Sequence, residues 1–65
     1  MYINTRKIRV ALAEKGMTQS NLSEKSGVSK QNLSIILKKG RCHEITAGKI
    51  ASALDIQVEQ IMEVS

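Results

Sequence analysis

The chain has almost no aromatic residues. Tyr2 stands alone, with no Phe and no Trp, so any core must be aliphatic. Single-stranded and RNA binders stack bases on aromatic side chains, and one tyrosine cannot supply such a platform. Proline is also absent, which suits helices joined by tight turns. The single cysteine, Cys42, excludes an internal disulfide framework and fits a reducing compartment. Its neighbour His43 is the only histidine, and one Cys with one His cannot provide the three or four protein ligands of a zinc centre. No metal or other cofactor is therefore expected. No apolar run approaches the roughly 18 residues of a membrane span, and the opening Met-Tyr-Ile-Asn-Thr-Arg-Lys has no apolar stretch behind it to make a secretory signal. There is no Gly-rich phosphate loop and no paired-carboxylate motif, so the chain is not expected to be an enzyme.

What is present is a short basic chain. Its 65 residues suffice for one domain, spanning 1–65, close to the lower size limit for an unaided core. The net charge of +4 is unevenly spread. Residues 1–49 hold all ten Lys and Arg against Glu14, Glu24 and Glu44, whereas residues 50–65 hold only Asp55, Glu59 and Glu63. A basic body with an acidic end points to a polyanion partner on one side and a different contact on the other; ordinary solvated charge is the plainer alternative.

Apolar spacing and capping residues predict an all-α chain of five short helices, at about 4–15, 19–26, 30–39, 47–54 and 58–63. Asn4 or Thr5 caps the first, which carries Ile8, Ala11 and Leu12 on one stripe and ends at Gly16, after which Met17 returns to the core. Arg6, Lys7 and Arg9 lie at the unfavourable end of that helix for its dipole, serving either a ligand or a solvated surface. Thr18 is placed to cap the second helix and Ser29 the third, with Gly27 at the sharp turn between them. Leu22, Val28, Leu33, Ile36 and Leu37 then face one shared core, leaving Lys30, Gln31 and Ser34 pointing away. That is the layout of a helix-turn-helix. Thr46 is expected to cap the fourth helix, with Ile50, Ala51 and Leu54 facing inward, and Asp55 takes the position that follows it. Ile56 and Ile61 complete the core.

The segments Gln19-x-x-Leu22, Gly27-Val28-Ser29 and Leu33-x-x-Ile36 resemble the motif of Cro/C1-type repressors, also called the XRE family. The likeness extends from Ile8-Arg9 through Gly16-Met17-Thr18-Gln19 to Ile50-Ala51-x-Ala53-Leu54, nearly the whole chain. It implies a lambda-repressor-like domain of five helices, with the helix-turn-helix formed by the second and third. It further implies a cytoplasmic, sequence-specific regulator of double-stranded DNA, similar to small phage or mobile-element repressors. The side chains matching the family's base readers are Lys30, Gln31, Ser34 and Ile35. Lys and Gln suit guanine and adenine edges, and Ile35 a thymine methyl. Phosphate contacts are expected from Thr18, Gln19, Ser29, Asn32, Lys38, Lys39 and Arg41. For Gln19 the plain alternative is a first-turn helix residue, for Lys38 a helix C-terminal charge. His43 adds a contact or is simply solvated.

Three features depart from the family pattern. Ser23 and Ser26 occupy positions where small apolar residues are usual, so each hydroxyl needs a partner. Leu12 and Leu37 match positions where some members pair a buried arginine with a glutamate; an apolar pair avoids the desolvation cost. Asp55 stands where glycine is common and must accept a left-handed backbone.

One such domain reads few base pairs, so the resemblance implies a homodimer on a palindromic operator, without a small-molecule ligand or a membrane. Val58, Met62 and Val64, bordered by Glu59 and Glu63, form the candidate dimer or partner face. The same patch supports an alternative: an antitoxin or coactivator-like module of the same fold that mainly holds another protein.

Overall fold

The computed structural model describes residues 1–63 and places four α-helices in them: α1 Thr5–Lys15, α2 Gln19–Ser26, α3 Lys30–Lys39 and α4 Glu44–Ala53. A single 3-10 turn, Val58–Gln60, follows. Each boundary has a local cause. Asn4 caps α1 through its side-chain oxygen, which accepts the Lys7 N–H at 3.0 Å. At the other end the Met17 N–H reaches the Leu12 carbonyl at 2.9 Å and the Gly16 N–H that of Ala13 at 3.2 Å. That nested pair, with Gly16 at φ 63°, is a Schellman stop, and it turns Met17 back against the core as expected.

Thr18 caps α2 reciprocally with Asn21: the Thr18 hydroxyl accepts the Asn21 N–H at 3.1 Å, and the Asn21 side chain accepts the Thr18 N–H at 3.0 Å. Gly27, at φ 77°, makes the turn into α3, where the Ser29 hydroxyl accepts the Asn32 N–H at 3.1 Å. Both serines that depart from the family pattern find partners at that turn. The Ser23 hydroxyl donates to the Val28 carbonyl and the Ser26 hydroxyl accepts the Val28 N–H.

The core draws on every helix. Ile8 and Leu12 from α1, Leu22 from α2, Leu33, Ile36 and Leu37 from α3, and Ala47, Ile50 and Ala51 from α4 are all buried together with Val28, Leu54 and Ile61. Leu12 and Leu37 share this apolar interior, and among the described residues no polar side chain is buried in it. Asp55 takes the left-handed backbone at φ 57°.

Two expectations need correction. The fourth helix begins at Glu44, with His43 in the cap position making no side-chain cap bond, and it ends at Ala53. Thr46 therefore lies inside the first turn. The Ala47 N–H closes onto the His43 carbonyl at 2.9 Å, and the Glu44 carboxylate sits where the helix dipole favours a negative charge. The fifth helix is only the 3-10 turn, because the residues after it pair elsewhere. The Ile61 carbonyl accepts the Asn4 N–H at 2.7 Å, and the Glu63 N–H donates to the Tyr2 carbonyl at 2.9 Å.

That pairing reveals an N-terminal clasp. Residues 1–4 run extended between the turn after α3 and residues 61–63. Tyr2 bridges Arg41 and Ile3 bridges Met62, both antiparallel. On the α3 side, the Ile3 N–H donates to the Gly40 carbonyl at 2.9 Å and the Cys42 N–H to the Met1 carbonyl at 3.1 Å. Ile3 itself is a core residue. No named strand results from these isolated bridges among the described residues, and none of the helices is long and apolar enough to cross a membrane.

Candidate nucleic-acid interface

The exposed side of α3 follows from its buried side. At about 100° per residue, Gln31 and Ile35 fall opposite Leu33, with Lys30 and Ser34 towards one flank and Asn32 and Lys39 towards the other. All six are exposed, as is Lys38. Ile35 is 44% accessible mid-helix, beside the buried Ile36. Such a face offers donors, acceptors and one apolar contact on a rigid rod whose start is fixed by Ser29 and Gly27.

Thr18 and Gln19 lie exposed at the start of α2. The Thr18 and Ser29 hydroxyls each use an acceptor lone pair on a helix N–H, so each keeps its own proton to donate. Ser29, Asn32, Ile35, Lys39 and Arg41 line one groove of roughly 670 Å³ beside α3, together with His43, Thr46 and Lys49. Lys30, Gln31, Ser34 and Lys38 do not line it, and neither do Thr18 and Gln19. Arg6 and Lys7 line a different hollow, next to Ile56 and Gln60.

Arg41 is held from two directions. Its backbone bridges Tyr2, and its guanidinium lies 5.6 Å from the centre of the Tyr2 ring, within range of a cation–π contact. Cys42 is half-buried next to it. Burial pushes the Cys42 thiol above its ordinary range, with the Met1 ammonium pulling partly the other way. A thiol raised in this way holds its proton at neutral pH. No group of three or more His, Cys, Asp or Glu among the described residues could hold a metal ion.

A protein-family model described as Cro/C1-type HTH DNA-binding domain matches residues 7–65. The chain belongs to that family. As a Cro/C1-type domain it is a helix-turn-helix DNA-binding module, and its α2, Gly27 turn and α3 are the motif itself. Searches of curated proteins and of solved structures return no match.

The expected dimer or partner face is described at two of its three residues. Val58 packs partly against the core, and Met62 is 38% exposed while its backbone bridges Ile3. Val64 lies outside the described residues. Among the described residues the most exposed large apolar side chain is Ile45, 76% accessible in the first turn of α4. The sequence pattern marks neither Tyr2 nor Lys49 as a surface of interest. For Ile45 the signal was available in principle: Ala47, Ile50 and Ala51 set the inward face of α4 and leave position 45 off it.

Proposed function

We propose that this Cro/C1-type domain is a sequence-specific transcriptional regulator, a repressor, that lays α3 in the major groove of a double-stranded operator. The observation that carries this reading is the division of α3 into an aliphatic side sealed in the core and a side presenting Lys30, Gln31, Ser34 and Ile35. Gln31 takes an adenine edge in bidentate fashion, Lys30 a guanine edge, and Ile35 a thymine methyl. Phosphate contacts from Thr18 and Gln19 at the start of α2, and from Ser29, Asn32, Lys38, Lys39 and Arg41 around α3, set the register. The protein does this in the cytoplasm of a bacterial or phage-infected bacterial cell, as one domain spanning 1–65, and occupancy of the operator blocks polymerase.

Two copies act together. One protomer measures 29 Å along its longest axis, which suits adjacent half-sites about one helical turn, roughly 34 Å, apart. Selection of bound duplexes from a randomised pool tests the proposal. An inverted repeat is expected, and replacing Gln31 with Ala should blur the selected sequence at one position in each half. A pool that yields no motif would overturn the operator reading. Binding of another protein by the Lys30, Gln31 double-alanine variant, with no selected DNA motif for the wild type, would favour a protein-binding module instead.

A further inference from the structure

The hollow on the side of α1 has a volume of roughly 730 Å³. Lys7, Val10, Ala11 and Glu14 follow the i, i+3, i+4, i+7 spacing of one helix flank, and all four line it. Ile56 and Gln60, from the segment after α4, form the facing wall. None of the lining residues belongs to the groove beside α3. The floor is apolar and open. Val10 is 49% exposed on a helix whose buried side is set by Ile8 and Leu12, and Ala11 and Ile56 are only half-buried.

Around this floor stand Arg6, Lys7 and Lys15 against the single carboxylate of Glu14. No acidic residue in the first turn of α1 offsets Arg6 and Lys7. The two amides in the lining, Asn4 and Gln60, act as donors. The Asn4 side-chain oxygen is taken by the Lys7 N–H and that of Gln60 by the Gln57 N–H, which leaves each amide its NH2 group to donate. An acceptor-rich, negatively charged ligand that carries an apolar side chain complements such a lining.

We propose that this hollow docks an acidic segment of another protein, one whose carboxylates flank an apolar side chain. At the rise of an α-helix, Lys7 and Lys15 lie about 12 Å apart along the axis of α1, with Val10 and Ala11 between them. An extended peptide covers that distance in about four residues, so an acid–apolar–acid pattern reaches both cations while its apolar side chain meets Val10. Glu14 disfavours a nucleic-acid backbone at the same place. A carboxylate in the lining repels phosphates, whereas the N–H groups of a peptide satisfy it. The inference does not rest on the DNA-reading role of α3.

Selection of short random peptides displayed on phage against the whole protein tests the proposal. The enriched peptides should carry Asp or Glu on both sides of an apolar residue, and one of them is then synthesised with a fluorescent label. Its affinity should fall as salt rises, and by about two- to fivefold for each of Lys7→Gln and Lys15→Gln, the range of an exposed ion pair. Val10→Ala should weaken it by about fourfold, the worth of one methylene of apolar burial. Lys25→Gln, at an exposed lysine on α2, should leave it unchanged. Lys7, Val10 and Lys15 are exposed, so thermal unfolding of their variants should match the wild type. Enriched peptides without an acidic bias, or binding insensitive to all three hollow variants, would overturn the proposal. Two rival occupants have signatures of their own, and either would overturn it as well. If duplex DNA fills the hollow, Lys7→Gln and Lys15→Gln lower the salt slope of duplex binding. If a second copy of the chain fills it, the same variants change the sedimentation of the protein alone, and no acidic peptide is enriched.

Discussion

The Ser23 hydroxyl donates to the Val28 carbonyl at 2.6 Å, across the turn that sets α3 against α2. Ser26 takes the Val28 N–H at 3.1 Å, so two hydroxyls satisfy both backbone groups of one buried residue. Ser23→Ala leaves that carbonyl without its partner and should cost about 1–3 kcal/mol in urea unfolding. Ser26→Ala should cost a similar amount, since Val28 then loses its N–H partner. An unchanged midpoint for Ser23→Ala would mean that water replaces the hydroxyl freely and that the turn is not held by it.

The N-terminal clasp makes Ile3 a core residue although it precedes the first helix. Ile3→Ala should cost about 2–5 kcal/mol, and Ile3→Val about 0.5–1.5 kcal/mol, the range for truncations inside a packed interior. In so small a domain the larger loss leaves much of the chain unfolded at room temperature, visible by circular dichroism. Frayed termini would predict no change for either variant. Tyr2→Ala should be far milder for stability, because Tyr2 is 54% exposed.

The contrast between the clasp and α1 to α3 marks what could be read from sequence. Asn4, Thr18, Ser29, Gly16 and Gly27 act on backbone groups within a few residues of themselves, so each helix start and stop is written locally. The start of α4 was not, because Thr46 is the better intrinsic cap and only the folded chain shows Glu44 and Ile45 already in the helix. The pairing of Tyr2 with Arg41 joins distant segments through main-chain bonds, which any residues can form, and it leaves no periodic trace. The outer face of α3 was legible because its buried residues fix its exposed ones. The groove was not, since bringing Lys49 beside Lys39 depends on how α4 returns across the core.

Cys42 should behave as a protected thiol. Burial raises its pKa in the folded chain, so native protein holds the proton to higher pH than unfolded protein does. Stability from this group is complete below the ordinary thiol range and is lost as pH rises through the folded value. Iodoacetamide alkylation followed against pH should therefore inflect at higher pH in buffer than in urea. An inflection at or below that of the unfolded chain would show that burial does not raise the thiol.

The proposed base reader and the proposed phosphate holder stand on different parts of α3, which gives the sharpest test of the proposed mechanism. Gln31 lies outside the cationic groove and opposite the core, whereas Lys39 lines the groove. On a selected operator, Gln31→Ala should cost about 1–3 kcal/mol and narrow the gap between the operator and a duplex altered at one base pair. Its salt slope should stay that of the wild type, since no phosphate contact is removed. Lys39→Gln should do the reverse, weakening all duplexes alike and lowering the slope by about 1. Both profiles come from anisotropy titrations on two duplexes at several salt concentrations. If Gln31→Ala lowers affinity equally for both duplexes and also lowers the slope, the residue holds backbone, and α3 does not present it to a base edge.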